Sequence, residues 1–381
     1  MAVAAIPELP STIAEATESQ PRARTALAAA LAAGPLHAYL FQGPRGTGKR
    51  AVARAFAAEL LAGGAADADS ARRRALADPS PHPDLAWLRP AGAQHLVDDV
   101  REMVIHGVAL RPFEGERRVF VIEDADAMRE ESQNALLKTL EEPPAFAHLL
   151  LLSAEPELIA ETVRSRCQSV QFVPLSPEAV EDRIQGSAED PLELRAAARL
   201  CGGDSELARH LVTEGGRRLR SQAELFARTA RAGETGEAAR AGLLSYAEEM
   251  GSEAGAAAEA VLLERAEAAP KSEAGRLKRE AGEASRRVAR RERTAALDLG
   301  LALAGAWYRD LAAVAAGAPD LVLNVDRMAE LDADARDLPV DRARDASELI
   351  LDTRRRLRLN VAEELAFEAL HFRLDRLLAK G

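Results

Sequence analysis

Apolar positions along this chain follow two rhythms, and the change between them falls near Pro174. Before it, short apolar runs alternate with stretches in which apolar residues recur every three or four positions. Ala38-Tyr39-Leu40-Phe41, Asp84–Leu88, Arg118–Ile122, His148–Leu152 and Val170–Val173 are runs of the first kind and predict strands. Arg118-Val119-Phe120-Val121-Ile122, β-branched and aromatic, reads as a buried parallel strand. Arg22–Ala33 closed by Gly34-Pro35, Ala51–Leu61, Val97–Ala109, Ser132–Leu140 stopped by Glu141-Glu142-Pro143-Pro144, and Glu157–Arg164 predict helices. Gly63 to Pro83 is polar and punctuated by glycine and proline, so it reads as a connector. Strands alternating with helices imply an α/β parallel sheet, with ligands held at the carboxyl ends of its strands. After Pro174 only helical spacing persists. Two or three short helices fill Ser176–Val212 around a break at Cys201-Gly202-Gly203. Residues 217–290 are Ala/Glu/Arg-rich and helical, and 294–381 hold three further helices with breaks near Gly317-Ala318-Pro319 and Leu338-Pro339.

Composition narrows the function classes. A chain of 381 residues is long enough for two or three domains with a sizeable core. Its formal net charge of -11 supplies no general positive field to draw in nucleic-acid phosphates. Cys167 and Cys201 are the two cysteines, too few for a disulfide framework or a four-cysteine metal site, and no zinc is expected. Met1 to Pro10 lacks the basic start and apolar stretch of a signal peptide, and no run of about eighteen apolar residues predicts a membrane span. A reducing cytoplasm is the expected setting.

The densest chemistry lies in Gly43-Pro44-Arg45-Gly46-Thr47-Gly48-Lys49, set between a strand and a helix. That is the context of a Walker A phosphate-binding loop: glycines turn backbone N–H groups toward an anion, the helix N-terminus adds partial positive charge, and Lys49 reaches the outer phosphates. The next residue should be Ser or Thr to hold Mg²⁺, and here it is Arg50. At the tip of the strand Arg118–Ile122 stand Glu123 and Asp124, where ATPases place an acid that organises Mg²⁺ and a second that activates water. Their order is the reverse of the usual Asp-Glu, and Asp124 is one methylene short for reaching the attacking water. Arg45, Lys49 and Arg50 put three cations on one loop. Two readings stay open: ATP or ADP held without Mg²⁺, or a loop that binds no nucleotide and meets a partner's carboxylates.

These residues resemble a family. Leu36-His37-Ala38-Tyr39-Leu40-Phe41 leading into the loop, Ile122-Glu123-Asp124-Ala125-Asp126, Asn134-Ala135-Leu136-Leu137-Lys138-Thr139-Leu140-Glu141-Glu142-Pro143-Pro144 and Arg164-Ser165-Arg166-Cys167-Gln168 together look like bacterial clamp-loader subunits of the AAA+ class, over roughly residues 20–175. The resemblance implies a RecA-like AAA+ nucleotide-binding domain over 1–174, a small helical lid over 175–240 and an all-α collar over 241–381 that assembles a ring. It also implies that Arg166 is an arginine finger projected into a neighbour's ATP site, and that Ser153 stands where the class places a γ-phosphate sensor. Three departures from the motor subunits occur together: Arg50, the Glu123-Asp124 order, and Glu206 or Leu207 at the lid position of a sensor arginine. They point to the delta-prime type, a DNA polymerase III subunit with little or no ATPase of its own. Implied partners are the gamma/tau motor and delta subunits, the sliding clamp indirectly, and primed DNA through the assembled complex, with no membrane. The rival readings are an active gamma/tau-type motor and an unrelated P-loop kinase. His82-Pro83-Asp84-Leu85 is present, but without the cysteines that precede it in zinc-bearing members.

Outside that region the basic stretch Arg276–Arg293 is interrupted by Glu280, Glu283 and Glu292, so it reads chiefly as a solvated helix face laced with ion pairs. Cys167 reads as a small core residue. Trp307-Tyr308 and Phe367, Leu370 and Phe372 read as collar core. Leu359-Asn360-Val361 through Leu370 resembles the family's collar.

Overall fold

The computed structural model describes residues 11–90, 94–232, 237–268, 271–357 and 362–378. Met1–Pro10 and Leu359–Val361 lie outside the described residues, as do the side chains of Arg276 and Glu280. The chain divides into two compact units, Met1–Leu175 and Ser176–Gly381.

The first unit is built on five parallel strands, β1 (Ala38–Gln42), β2 (Leu85–Leu88), β3 (Arg118–Ile122), β4 (Ala147–Ser153) and β5 (Gln168–Gln171), in the spatial order β2-β3-β4-β1-β5. Alternation along each strand divides the core in two. Tyr39, Phe41, Val119, Val121, Leu150 and Leu152 pack with Phe56 and Leu60 on one face, whereas Leu40, Phe120, Ile122, Leu149 and Leu151 pack with Val104, Leu136 and Val163 on the other. The helices are α1 (Ser11–Ala16), α2 (Pro21–Ala33), α3 (Lys49–Ala62), α4 (Ala68–Leu76), α5 (Val97–Val100), α6 (Glu130–Glu141) and α7 (Glu161–Arg164). Strand and helix alternate as the apolar pattern predicts.

Four elements depart from the sequence expectation. The connector after α3 contains α4, capped by the Asp67 carboxylate on the Ser70 N–H at 2.9 Å. The helix expected over Val97–Ala109 winds more widely from Arg101 to His106, and Gly107 beyond it lies so near Phe120 that a Cβ there would stand 2.8 Å from the ring. Glu157–Arg164 is two short turns, because Ile159 is drawn into the core in extended conformation and the Ala160 N–H donates to the Gln133 side chain at 2.7 Å. The last strand starts at Gln168 and ends before Val173, whose N–H and C=O are both taken by the buried Gln20 side chain, at 3.0 and 2.8 Å.

The second unit is helical among its described residues. α8 (Pro177–Arg183), α9 (Pro191–Leu200) and α10 (Ser205–Leu211) begin at Ser176, Asp190 and Asp204, each of which caps its helix with a side-chain oxygen. α11 (Glu214–Ala232), α12 (Glu237–Ala268), α13 (Lys271–Ala315), α14 (Met328–Ala335), α15 (Val340–Leu357) and α16 (Glu363–Leu378) follow. The boundary expected between 290 and 294 is absent: α13 runs through it as one helix of 45 residues. It packs antiparallel to α12 at two glycines, where a Cβ on Gly251 would lie 2.6 Å from the Ala289 carbonyl oxygen and one on Gly255 2.9 Å from that of Ser285. Trp307, Tyr308, Phe367 and Leu370 are buried, but Phe372 is 60% exposed and is not core; the Arg376 guanidinium lies over its ring.

Candidate functional site

The glycine loop leaves β1 at Gln42 and enters α3 at Lys49. Gly43, Gly46 and Gly48 have φ of 150°, 67° and 88°, the region a residue with a Cβ avoids, and this lets the chain fold tightly round a small space. At Gly43 the backbone of Phe172 comes so close that a Cβ would sit 2.3 Å from its carbonyl oxygen. Thr47, buried, donates to the Pro44 carbonyl at 2.9 Å. Lys49, also buried, donates its Nζ to the carbonyls of Gly43 and Pro44 at 2.5 and 2.6 Å, so the ammonium sits inside the curl of the loop. The buried Gln20 amide donates to the Thr47 carbonyl at 3.1 Å while gripping Val173, tying the loop to the end of β5. Nothing in its local sequence marks Gln20; its partners lie 27 and 153 residues away.

Arg50, in the first turn of α3, meets Glu123 at the tip of β3. Its Nε and Nη2 stand 2.9 and 3.0 Å from the two carboxylate oxygens. Glu123 is 6% exposed and takes two further donors, the Trp87 indole N–H at 2.6 Å and Arg89 Nε at 3.1 Å. Arg89 also reaches Asp78 at 2.8 Å, and Asp78 pairs with Arg54 at 3.1 Å. The Arg54 guanidinium stacks over Trp87, 4.3 Å from the ring centre. Burial opposes ionisation of Asp78, yet the hydrogen bond from Arg89 and the charge of Arg54 outweigh it and hold this carboxyl below its usual range. The loop, β2, β3 and the turn after α4 are thus joined by one polar network centred on Glu123.

The neighbouring acids have other duties. Asp124 has φ of 46°, a left-handed turn that Asp tolerates, and its carboxylate lies 3.9 Å from Arg45. Asp126 accepts the Ala154 N–H at 3.0 Å, tying β3 to the end of β4. His95 Nε2 lies 2.6 Å from the Glu123 carbonyl; burial pushes its pKa down, so the neutral ring must carry the Nε2 proton to donate there. Ser153 is 1% exposed and beside the loop, since its carbonyl accepts the Gly43 N–H at 3.2 Å; its own Oγ has no hydrogen-bond partner.

Arg166 is elsewhere. It precedes β5, whereas the loop follows β1, and the two strands run parallel with Tyr39 opposite Gln168. The arginine and the loop therefore lie at opposite ends of the sheet, separated by a strand length of roughly 15 Å. Arg166 donates to the Thr162 carbonyl and to Glu141, both at 2.8 Å, so the residues Leu140-Glu141-Glu142 and Ser165-Arg166-Cys167 meet in space. Cys167 packs against the core with its thiol pushed up to about 12 by burial, which makes it a packing residue and a poor nucleophile. Glu206 and Leu207 lie in the first turn of α10, their N–H groups both held by the Asp204 carboxylate at 2.9 Å.

The residues present fit the two parts of a metal–nucleotide complex unequally. Open glycine backbone, a lysine inside the curl and an unpartnered buried serine hydroxyl suit phosphate. A divalent ion does not fit: the position for its hydroxyl ligand is a guanidinium, and the acid at the strand tip is filled by N–H donors.

Residues 19–176 match the family described as DNA polymerase III, delta subunit. Among curated proteins, the DNA polymerase III subunit delta' of Bacillus subtilis is 32% identical over 195 residues, covering 50% of this chain and 59% of that protein. The subunit delta' of Pseudomonas aeruginosa is 37% identical over 193 residues, 49% of this chain and 58% of that one. The DNA polymerase III subunit tau of Salmonella typhimurium is 31% identical over 207 residues, 51% of this chain and 31% of that one. The chain thus spans less than two thirds of the length of the delta' relatives it matches.

Proposed function

We propose, from the similarity of residues 19–176 to the DNA polymerase III delta family and of half of the chain to subunits delta', that this chain is a stationary subunit of a bacterial DNA polymerase III clamp loader. It lends Arg166 as an arginine finger to the ATP site of an adjacent gamma/tau-type motor, and hydrolyses little or no ATP itself. Delta is a further partner, and the sliding clamp and primed DNA are engaged through the assembled complex.

The observation that carries this reading is the Arg50–Glu123 pair. Two positions that hydrolysis needs for metal are bound to each other, and the acid is anchored from two more sides. Arg166, by contrast, is 36% exposed, lies away from its own loop, and is held by bonds a phosphate can replace. An arginine suits that duty because its planar fork stays charged and matches phosphate oxygens. The motor reading has in its favour the similarity to the subunit tau, but it requires Mg²⁺ where Arg50 stands. A kinase reading gains nothing from the geometry.

The test is ATP hydrolysis stimulated by clamp and primed DNA, with this protein mixed with the motor and clamp-opening subunits of its own species. The native protein alone is expected to be silent, and Arg166→Ala is expected to lower the assembled rate about tenfold or more. Turnover by the protein alone, with no effect of Arg166→Ala in the mixture, would overturn the reading in favour of a motor.

A further inference from the structure

We propose that Arg50 stands in for the divalent cation, so that the glycine loop binds a nucleoside di- or triphosphate as the free anion, without Mg²⁺. This goes beyond the reading above: it adds that the loop is a nucleotide site, and it does not depend on Arg166.

Glu123 has little room left for a metal. A carboxylate offers about four lone-pair sites to donors, and three N–H groups already donate to this one, Arg50 Nη2, Arg89 Nε and the Trp87 indole, while Arg50 Nε stands 2.9 Å from Oε1 as an ion pair. A metal ion, or a water bound to it, would have to expel a guanidinium from a buried acid, leaving that guanidinium beside a second cation. The hard oxygen ligands Mg²⁺ demands in octahedral array are not on offer there. Charge points the same way. Arg45, Arg50, Arg54 and Arg89 pair with Asp124, Glu123 and Asp78, four cations to three carboxylates, and the Lys49 ammonium sits inside the loop on the Gly43 and Pro44 carbonyls. The surplus is positive before any metal arrives, which attracts a polyphosphate that has shed its metal and disfavours adding one that keeps it. Ser153, whose carbonyl takes the Gly43 N–H of the loop, has a buried hydroxyl with no hydrogen-bond partner, an unsatisfied polar group on the residue that makes this contact and free to accept from or donate to a guest.

The experiment is calorimetric titration of the full-length protein with ADP and with ATP, once in EDTA and once in excess Mg²⁺. Intrinsic fluorescence of Trp87 in a Trp307→Phe background is followed in parallel. Binding in EDTA is expected to equal or exceed binding in Mg²⁺, and Mg²⁺ alone is expected to leave Trp87 emission unchanged. Arg50→Thr, which restores the hydroxyl and releases Glu123, is expected to bind about tenfold or more tightly with Mg²⁺ than without. Native binding that weakens about tenfold or more in EDTA overturns the proposal, because a metal is then part of the complex. Absence of native binding in both conditions also overturns it, while leaving the Arg166 test above untouched. The native comparison needs no variant, so a poorly folding Arg50→Thr cannot obscure the outcome.

Discussion

Replacing Glu123 by Ala separates a structural acid from a catalytic one. In a working ATPase the acid at the strand tip is kept for metal, and its removal costs activity more than stability. Here Glu123 sits between two guanidiniums and an indole. Arg50 and Arg89 are 53% and 43% exposed, so solvent screens their pairs, and each is worth roughly 0.5–1 kcal/mol. The indole N–H bond to a buried carboxylate adds roughly 1.5–2 kcal/mol. Together the first unit should lose about 2.5–4 kcal/mol. The two tryptophans lie one in each unit, Trp87 in the first and Trp307 in the second. Urea unfolding followed by Trp87 fluorescence in a Trp307→Phe background therefore reads the first unit alone. The midpoint should fall with Glu123→Ala while the assembled ATPase rate of folded complexes stays the same. A shift worth less than about 0.5 kcal/mol would refute the reasoning, since the acid would then be idle in the fold and open to a metal.

Two further outcomes follow from buried polar groups. Asp84, fully buried, accepts the N–H groups of Phe113 and Glu114 at 2.8 and 3.0 Å and holds a turn whose Phe113 ring is 72% exposed. Asp84→Ala should cost about 2–3 kcal/mol in urea unfolding and speed hydrogen exchange at those two amides; unchanged exchange would contradict it. His82, His95 and His148 all have pKa values pushed down by burial. The folded first unit keeps them neutral while the unfolded chain takes up protons, so their contribution is complete above about pH 6.5 and is lost as pH falls below it, by at most about 1.4 kcal/mol per pH unit for each. A Trp87 urea midpoint that is the same at pH 7.5 and 5.5 would rule this out.

The parallel sheet and the glycine loop were legible because they depend on local signals: apolar runs, glycine spacing, and prolines that stop helices. What stayed hidden depends on partners distant in the chain. Arg50 reads as a lost hydroxyl, but its pairing with an acid 73 residues away, and the closing of that acid by Trp87 and Arg89, is a matter of strand neighbours β2 and β3. Gln133 is likewise silent in sequence, yet its amide joins the Met128 and Leu158 carbonyls to the Ala160 N–H and so breaks the helix expected over Glu157–Arg164. The Ala/Arg/Glu composition of α13 carries no stop signal at 290–294, so the expected boundary there had no physical cause. Phe372 fits the apolar spacing of α16 but falls on its outer side, and spacing alone cannot tell which apolar residue has a neighbour.

Because all five strands point one way, the first unit has a head and a tail that cannot be exchanged by rotation. The glycine loop belongs to one, Arg166 to the other. If neighbours in an assembly are joined so that an arginine meets a loop, every such joint is heterologous and the arc has a direction. A member whose arginine is serviceable and whose loop lacks a metal place can give to one side and has no need to receive from the other. On that arrangement such a chain would mark an end of the arc, and the chemistry of one residue after Lys49 would become an instruction about order.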